Sequence, residues 1–220
     1  MQKKNDYLKF TDIEIEQAET LFHVNSDTAA LGTFYDNLKD KSILDIGTNN
    51  GALLLYASLK GASAFTGIDI LAEAIVYAEK NLSKYLKKYE LFNVRLQDFK
   101  HSQFDVIVCN PPFFEMNNPR QNENYQTAMF EKYLSIDELF EGYRRLIKDN
   151  GEVYLIYPSD RICLLLKTAD RYKFKIMKMR FVYDTKNEYA SRVLVKMKRG
   201  QATKTRVLKP IFIHNGNLEI

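Results

Sequence analysis

The 220-residue chain has no tryptophan, only two cysteines, five prolines and three histidines, and no apolar run near the roughly 20 residues that cross a bilayer. Each scarcity closes a class of function. Cys109 and Cys163 lie far apart with no paired spacing, so neither a disulfide framework nor a zinc site is encoded and no metal is expected. His23, His101 and His214 are isolated and read as surface or locally bonded rings rather than catalytic bases. The start Met1-Gln2-Lys3-Lys4-Asn5-Asp6 is basic but runs into acidic, interrupted sequence. A signal peptide is therefore not expected, and a reducing, cytoplasmic setting is. Neither repeats nor a low-complexity linker breaks the chain. With 45% hydrophobic and 27% charged residues, it reads as one globular domain built on one core.

Charge is unevenly spread. From Arg171 to Pro210 there are 13 Lys and Arg against Asp184 and Glu188, a local excess of eleven; the net charge of +4 then leaves the remainder seven negative. Phosphate neutralisation supplies most of the affinity for nucleic acid, so a basic segment on an acidic chain is the pattern of a polyanion-binding surface. A set of solvated strand faces would give the same count.

The chain alternates strand and helix patterns. Ser42 to Ile46 is an apolar run entering a Gly and Asn cluster, followed by helix formers from Ala52 to Lys60. Ala64 to Asp69 forms a second strand, Leu71 to Lys88 the longest helix, Phe92 to Leu96 a third strand and Phe104 to Cys109 a fourth. The near-continuous apolarity of the fourth predicts a strand covered on both faces. Ile136 to Ile147 has helical spacing and stops at Asp149-Asn150-Gly151, Glu152 to Tyr157 is a fifth strand, and a helix follows Pro158 to about Asp170. Phe174 to Tyr183 and Arg192 to Met197 predict an antiparallel pair. The whole is an α/β fold whose mostly parallel sheet carries ligands at the carboxyl ends of its strands. Before it, in Thr20 to Asp40, Ser26 or Asp27 is placed to cap a helix.

Chemistry first enters at Asp45-Ile46-Gly47-Thr48-Asn49-Asn50-Gly51, where glycines at a strand-to-helix turn permit close backbone approach to a ligand. The spacing is not the Gly-x-Gly-x-x-Gly dinucleotide fingerprint, which disfavours a nicotinamide enzyme. Asn49 and Asn50 tolerate left-handed dihedrals and so keep the turn. Asp69 ends strand two, where a carboxylate accepts from both ribose hydroxyls of a nucleoside. Asp98-Phe99 adds an acid and an aromatic ring at the same edge, suited to an adenine amino group and its ring face. Asn110-Pro111-Pro112-Phe113 follows strand four. The two prolines fix an extended backbone, so the Asn110 side-chain oxygen and the Pro111 carbonyl can both accept from one planar NH₂ group while Phe113 stacks on its ring. Such contacts strengthen as positive charge grows on nitrogen, which suits methylation of an aromatic amine. A rigid Pro-Pro turn with a buried Phe is the bland alternative.

These motifs, in this order, resemble the class I S-adenosylmethionine-dependent methyltransferases of the amino-methylating branch. Leu21-Phe22-His23-Val24-Asn25-Ser26-Asp27-Thr28, the Phe113-Phe114 ending and Ser191-Arg192-Val193-Leu194-Val195 are similar to the bacterial tRNA1(Val) adenine-N6-methyltransferases, over roughly Leu21 to Pro210. The resemblance implies a single-domain Rossmann-like fold with a seven-stranded, mostly parallel sheet and a C-terminal antiparallel hairpin. It places an N-terminal extension and helix at 1–40, packed on a catalytic domain at 41–220. It further implies methylation of the adenosine 3′ of the anticodon in a tRNA held partly by the basic Arg171 to Pro210 region. S-adenosylmethionine would be held by Asp45, Gly47, Asn49, Gly51, Asp69, Ile70, Asp98, Phe99 and Asn110. The target base would be held by Asn110, Pro111, Pro112 and Phe113. Asn49 stands where the family usually has glycine, and Thr127-Ala128-Met129-Phe130-Glu131 lacks an Arg-His pair common there. A ribosomal RNA amino group is the nearest rival target. A protein glutamine methyltransferase falls behind, since that family carries a sizeable helical domain where about 40 residues precede Ser42 here. A non-catalytic RNA-binding module would have no reason to keep Asn110 beside a nucleoside site.

Overall fold

Apolar runs of five or six residues alternate with helix formers, and the chain answers with strands buried on both faces and helices laid over them. The computed structural model describes residues 4–111, 134–184, 189–200, 204–214 and 217–219. A two-stranded antiparallel ribbon, β1 (Lys4–Tyr7) and β2 (Glu14–Gln17), leads into α1 (Ser26–Phe34). Then follow β3 (Ser42–Ile46), α2 (Ala52–Leu59), β4 (Ala64–Asp69), α3 (Ala72–Tyr85), β5 (Tyr89–Asn93) and β6 (Phe104–Cys109). The second half holds α4 (Ile136–Leu146), β7 (Ile147–Pro158), α5 (Ile162–Arg171), β8 (Phe174–Tyr183) and β9 (Arg192–Arg199). Three short strands, β10 (Arg206–Val207), β11 (Ile211–His214) and β12 (Asn217–Glu219), close the series.

The main sheet runs β12-β11-β8-β9-β7-β6-β3-β4-β5, with β10 on β8. From β5 to β7 all neighbours are parallel; β9 is antiparallel to both β7 and β8. Alternation along each strand splits the apolar run between two cores. Val106, Val108, Tyr154, Ile156 and Leu194 face α1 and α2, whereas Ile107, Cys109, Val153, Leu155 and Val195 face α4 and α5. That is why β6 reads as continuously apolar.

Several boundaries differ from the sequence expectation, each for a local reason. The sheet has ten strands rather than seven, because β10 to β12 extend its edge beyond β8. β5 lies at Tyr89–Asn93 rather than Phe92 to Leu96; as an edge strand it is largely exposed, and its apolar pattern is weak. Helix α1 is capped by Asn25, whose side chain accepts from the Thr28 N–H, and not by Ser26 or Asp27. Asp149-Asn150-Gly151 does not end α4, which stops at Leu146. It lies inside β7, where the register jumps from Phe104 opposite Ile147 to Val106 opposite Glu152 and residues 148–150 are exposed.

Candidate active site

The register of the parallel strands decides which side chains meet. Ile68, Ile46, Cys109 and Leu155 lie in one row across β4, β3, β6 and β7. Asp69, Gly47 and Asn110 therefore emerge side by side at the carboxyl edge, on strands roughly 4.8 Å apart, with Gly47 between the other two.

The loop after β3 folds back on β4. The N–H groups of Gly47 and Thr48 both donate to the Ile68 carbonyl at 2.9 Å, and the Gly51 N–H donates to the Thr48 carbonyl at 2.8 Å. Gly47 has φ +73°, and a Cβ there would meet nothing within 4 Å, so the space above the loop is open to a ligand. Gly51, at φ +80°, starts α2 where a Cβ would fall 2.9 Å from Leu82, so glycine is required on two counts.

Asp45 is fully buried beneath this loop. Thr48 Oγ1 donates to its Oδ2 at 2.9 Å, and its Oδ1 finds no partner among the described residues. Burial, reinforced by the nearby Asp69 charge and only partly offset by Thr48, pushes its carboxyl up to about 7. Asp69 accepts from the Leu71 N–H at 3.0 Å and the Asn49 N–H at 2.9 Å, one on each oxygen. Burial also raises its pKa, against the lowering effect of the Leu71, Asn49 and Ile70 N–H groups. The Ile70 side chain is exposed beside this edge.

Asp98 is exposed in the turn after β5, and both its N–H and that of Phe99 donate to the Arg95 carbonyl at 3.0 Å. That turn drives Phe99 inward. Its ring is 3% exposed, 5.4 Å from Phe92 and stacked on His101 at 5.6 Å. The Phe99 ring, expected to pack on adenine, belongs instead to the core, with its N–H bonded to the Arg95 carbonyl and its own carbonyl accepting from Arg145 Nη1. Asn110 is half-buried and Pro111 buried. Pro112 and Phe113 lie outside the described residues, as do Phe114, Arg120 and Thr127 to Glu131.

Two parts of the rim were missed by sequence reasoning. The segment before α1 crosses the loop: Asn49 Nδ2 donates to the Phe22 carbonyl at 2.6 Å, while the Val24 N–H donates to Gln17 Oε1 at 2.6 Å. A run of buried amides carries this packing, since Asn81 bonds both Glu16 and Asn50. On the other flank, Arg192 lies opposite Pro158, three residues past the Leu155 row, and its Nε is 3.2 Å from Asp27 on α1. Burial raises the Asp27 pKa despite that cation. Tyr189, 84% exposed, stands beside this corner, with Ser191 held to Val182 by a 2.8 Å backbone bond. Nothing in the sequence around Tyr189 marked it.

The basic segment is less free than its charge count implied. Arg171 pairs with Asp137, Lys175 with Asp170, and Arg199 with Asp149. Lys178 and Lys196 share Asp36, and Lys196 and Lys198 share Glu152. With Arg192, seven of the 13 cations are committed to acids elsewhere in the chain. Lys204, Arg206 and Lys209 are exposed and make no ion pair among the described residues. No helix among the described residues is long and apolar enough to cross a membrane.

A family model described as a methyltransferase domain matches residues 37–209. A tRNA1(Val) (adenine(37)-N6)-methyltransferase of Dyadobacter fermentans is 26% identical, over 94% of this chain and 88% of its own. The protein of the same name from Phocaeicola vulgatus is 28% identical, over 88% of this chain and 84% of its own. Among solved structures, the 16S rRNA N2 G1207 methyltransferase of T. thermophilus, in complex with AdoMet and guanosine, superposes with a TM-score of 0.64. It is 15% identical, and the match covers 90% of this chain and 50% of that one.

Proposed function

The chain belongs to the methyltransferase domain family, and from that premise we propose that it methylates the exocyclic amino group of an adenine in RNA, in tRNA1(Val) at the adenosine 3′ of the anticodon. The observation that carries this reading is the strand register, which brings Asp69, the open Gly47 loop and Asn110-Pro111 to one sheet edge. When bound, S-adenosylmethionine supplies an electrophilic methyl group. The residues present fit it: among the described residues nothing lies within 4 Å of a Cβ built at Gly47, and the Asp69 carboxylate keeps acceptor capacity for ribose hydroxyls beside its two backbone bonds. Asp98 is the acid available to an adenine amino group.

Asn110 Oδ1 and the Pro111 carbonyl act on the substrate amine. Its lone pair is delocalised into the ring, and two acceptors gripping its hydrogens favour a pyramidal nitrogen. They hold those hydrogens more tightly as the nitrogen gains positive charge, so they lower the barrier rather than only bind. No base is needed beforehand, since the proton becomes acidic once the nitrogen is alkylated. Phe113, next but one along the chain from Pro111, is the ring assigned to stack on the base in this reading. A stacked anticodon-loop purine has to be extruded to reach Asn110, at a cost of a few kcal/mol. Lys204, Arg206 and Lys209 are exposed cations available to hold phosphates, and Tyr189 offers an exposed ring to a neighbouring base.

Mass spectrometry of nucleosides from purified tRNA and rRNA of a deletion strain tests this. Loss of N6-methyladenosine from tRNA1(Val) is expected; loss confined to ribosomal RNA would assign the rival target, and no lost methyl group would overturn the reading.

A further inference from the structure

Asn49 sits at φ +51°, a left-handed conformation that glycine adopts freely and a side chain adopts at a cost. Its backbone N–H reaches Asp69 Oδ2 at 2.9 Å, its Nδ2 reaches the Phe22 carbonyl at 2.6 Å, and its Oδ1 is buried with no partner among the described residues. One residue thus joins the loop after β3, the acid ending β4, and the segment ahead of α1. That segment is tied at its shoulders to other elements: Thr20 Oγ1 donates to Glu73 on α3 at 2.8 Å, and the Val24 N–H to Gln17 on β2 at 2.6 Å. The Asn49 amide draws its middle onto the loop.

We propose that Asn49 is a positioning residue whose amide latches Leu21 to Val24 against the loop Gly47 to Gly51, making that segment the outer wall of the donor site. The proposal rests on the reading of this loop and Asp69 as the S-adenosylmethionine site. Release of the demethylated donor then requires the Asn49–Phe22 bond to open. A hydrogen bond of ordinary net strength changes such an opening equilibrium roughly fivefold.

Asn49→Gly removes the latch and suits the backbone; Asn49→Asp keeps the size but loses the N–H donor. In the intact protein, both are expected to release S-adenosylhomocysteine about fivefold faster and to raise KM for the donor more than they lower kcat. Without ligand, amide hydrogen exchange over residues 18–25 is expected to quicken by a similar factor, while α2 and β4 keep wild-type protection. Wild-type release and wild-type exchange over 18–25 in both variants would overturn the latch, as would faster exchange spread equally over α2 and β4. Should the wild type bind no S-adenosylhomocysteine, the reading of the site fails by itself, and exchange over 18–25 still decides the latch.

Discussion

Thr48 donates its hydroxyl to Asp45 at 2.9 Å, and among the described residues that is the one hydrogen bond to a carboxyl wholly removed from water. It does not offset burial, which holds the Asp45 pKa at about 7 against an ordinary 3.8. The folded state therefore binds more protons than the unfolded state between about pH 4 and 7, and stability falls as pH rises through that window. The ligand-free protein should lose a few kcal/mol from this group between pH 4.5 and 8. Asp45→Asn should lose correspondingly less. Urea unfolding of both proteins across that range checks it, and parallel pH profiles would refute it.

Asn110→Ala should cut turnover by roughly 10²–10³, far more than it weakens donor binding, as for other hydrogen-bond partners that act in a transition state. Calorimetric titration of S-adenosylmethionine beside single-turnover methylation of tRNA1(Val) separates the two effects. Turnover within tenfold of wild type would exclude the role given to Asn110.

Cations in the Arg171 to Pro210 region should divide into two behaviours. Replacing Lys204, Arg206 and Lys209 together by Gln should weaken tRNA binding and flatten its dependence on salt, with little effect on melting. Lys196→Met should instead destabilise the fold by roughly 1–2 kcal/mol, because it removes one cation from Asp36 and one from the buried Glu152 carboxylate, which keeps Lys41 and Lys198. Binding isotherms at several salt concentrations and thermal melts distinguish the sets; an unchanged salt slope in the triple variant would remove these three from the RNA surface.

Tyr189→Ala should weaken tRNA binding by roughly tenfold, in the range found when a base-stacking ring is lost, while Tyr189→Phe should bind as wild type. Fluorescence anisotropy with the tRNA1(Val) anticodon stem-loop measures both. Equal affinity for all three proteins would reject stacking.

The strands that deliver the site were legible in the sequence because each is a short apolar run ending on a polar residue: Ile68 before Asp69, Ile46 before Gly47, Cys109 before Asn110. Their side-by-side emergence needs only parallel pairing in register. What stayed hidden depends on contacts between distant positions. Phe99 looked available because Asp98-Phe99 follows a strand, yet a turn closed on Arg95 sends its ring into the core. The basic segment looked free because charge was counted along the chain, whereas Asp36, 160 residues from Lys196, neutralises it in space. β5 sits at one edge of the sheet and is largely exposed, and β10 to β12 are only two to four residues long, too short for a periodic pattern to stand out.

Helix α1 is moored at both tips. Asp27, in its first turn, holds Arg192 at the carboxyl end of the sheet, and Asp36, just past its last turn, holds Lys178 and Lys196 at the other end. A rod anchored fore and aft to the same β-sheet resists swinging as a hinge. Any widening of the carboxyl edge of the sheet must therefore come from elements other than this one.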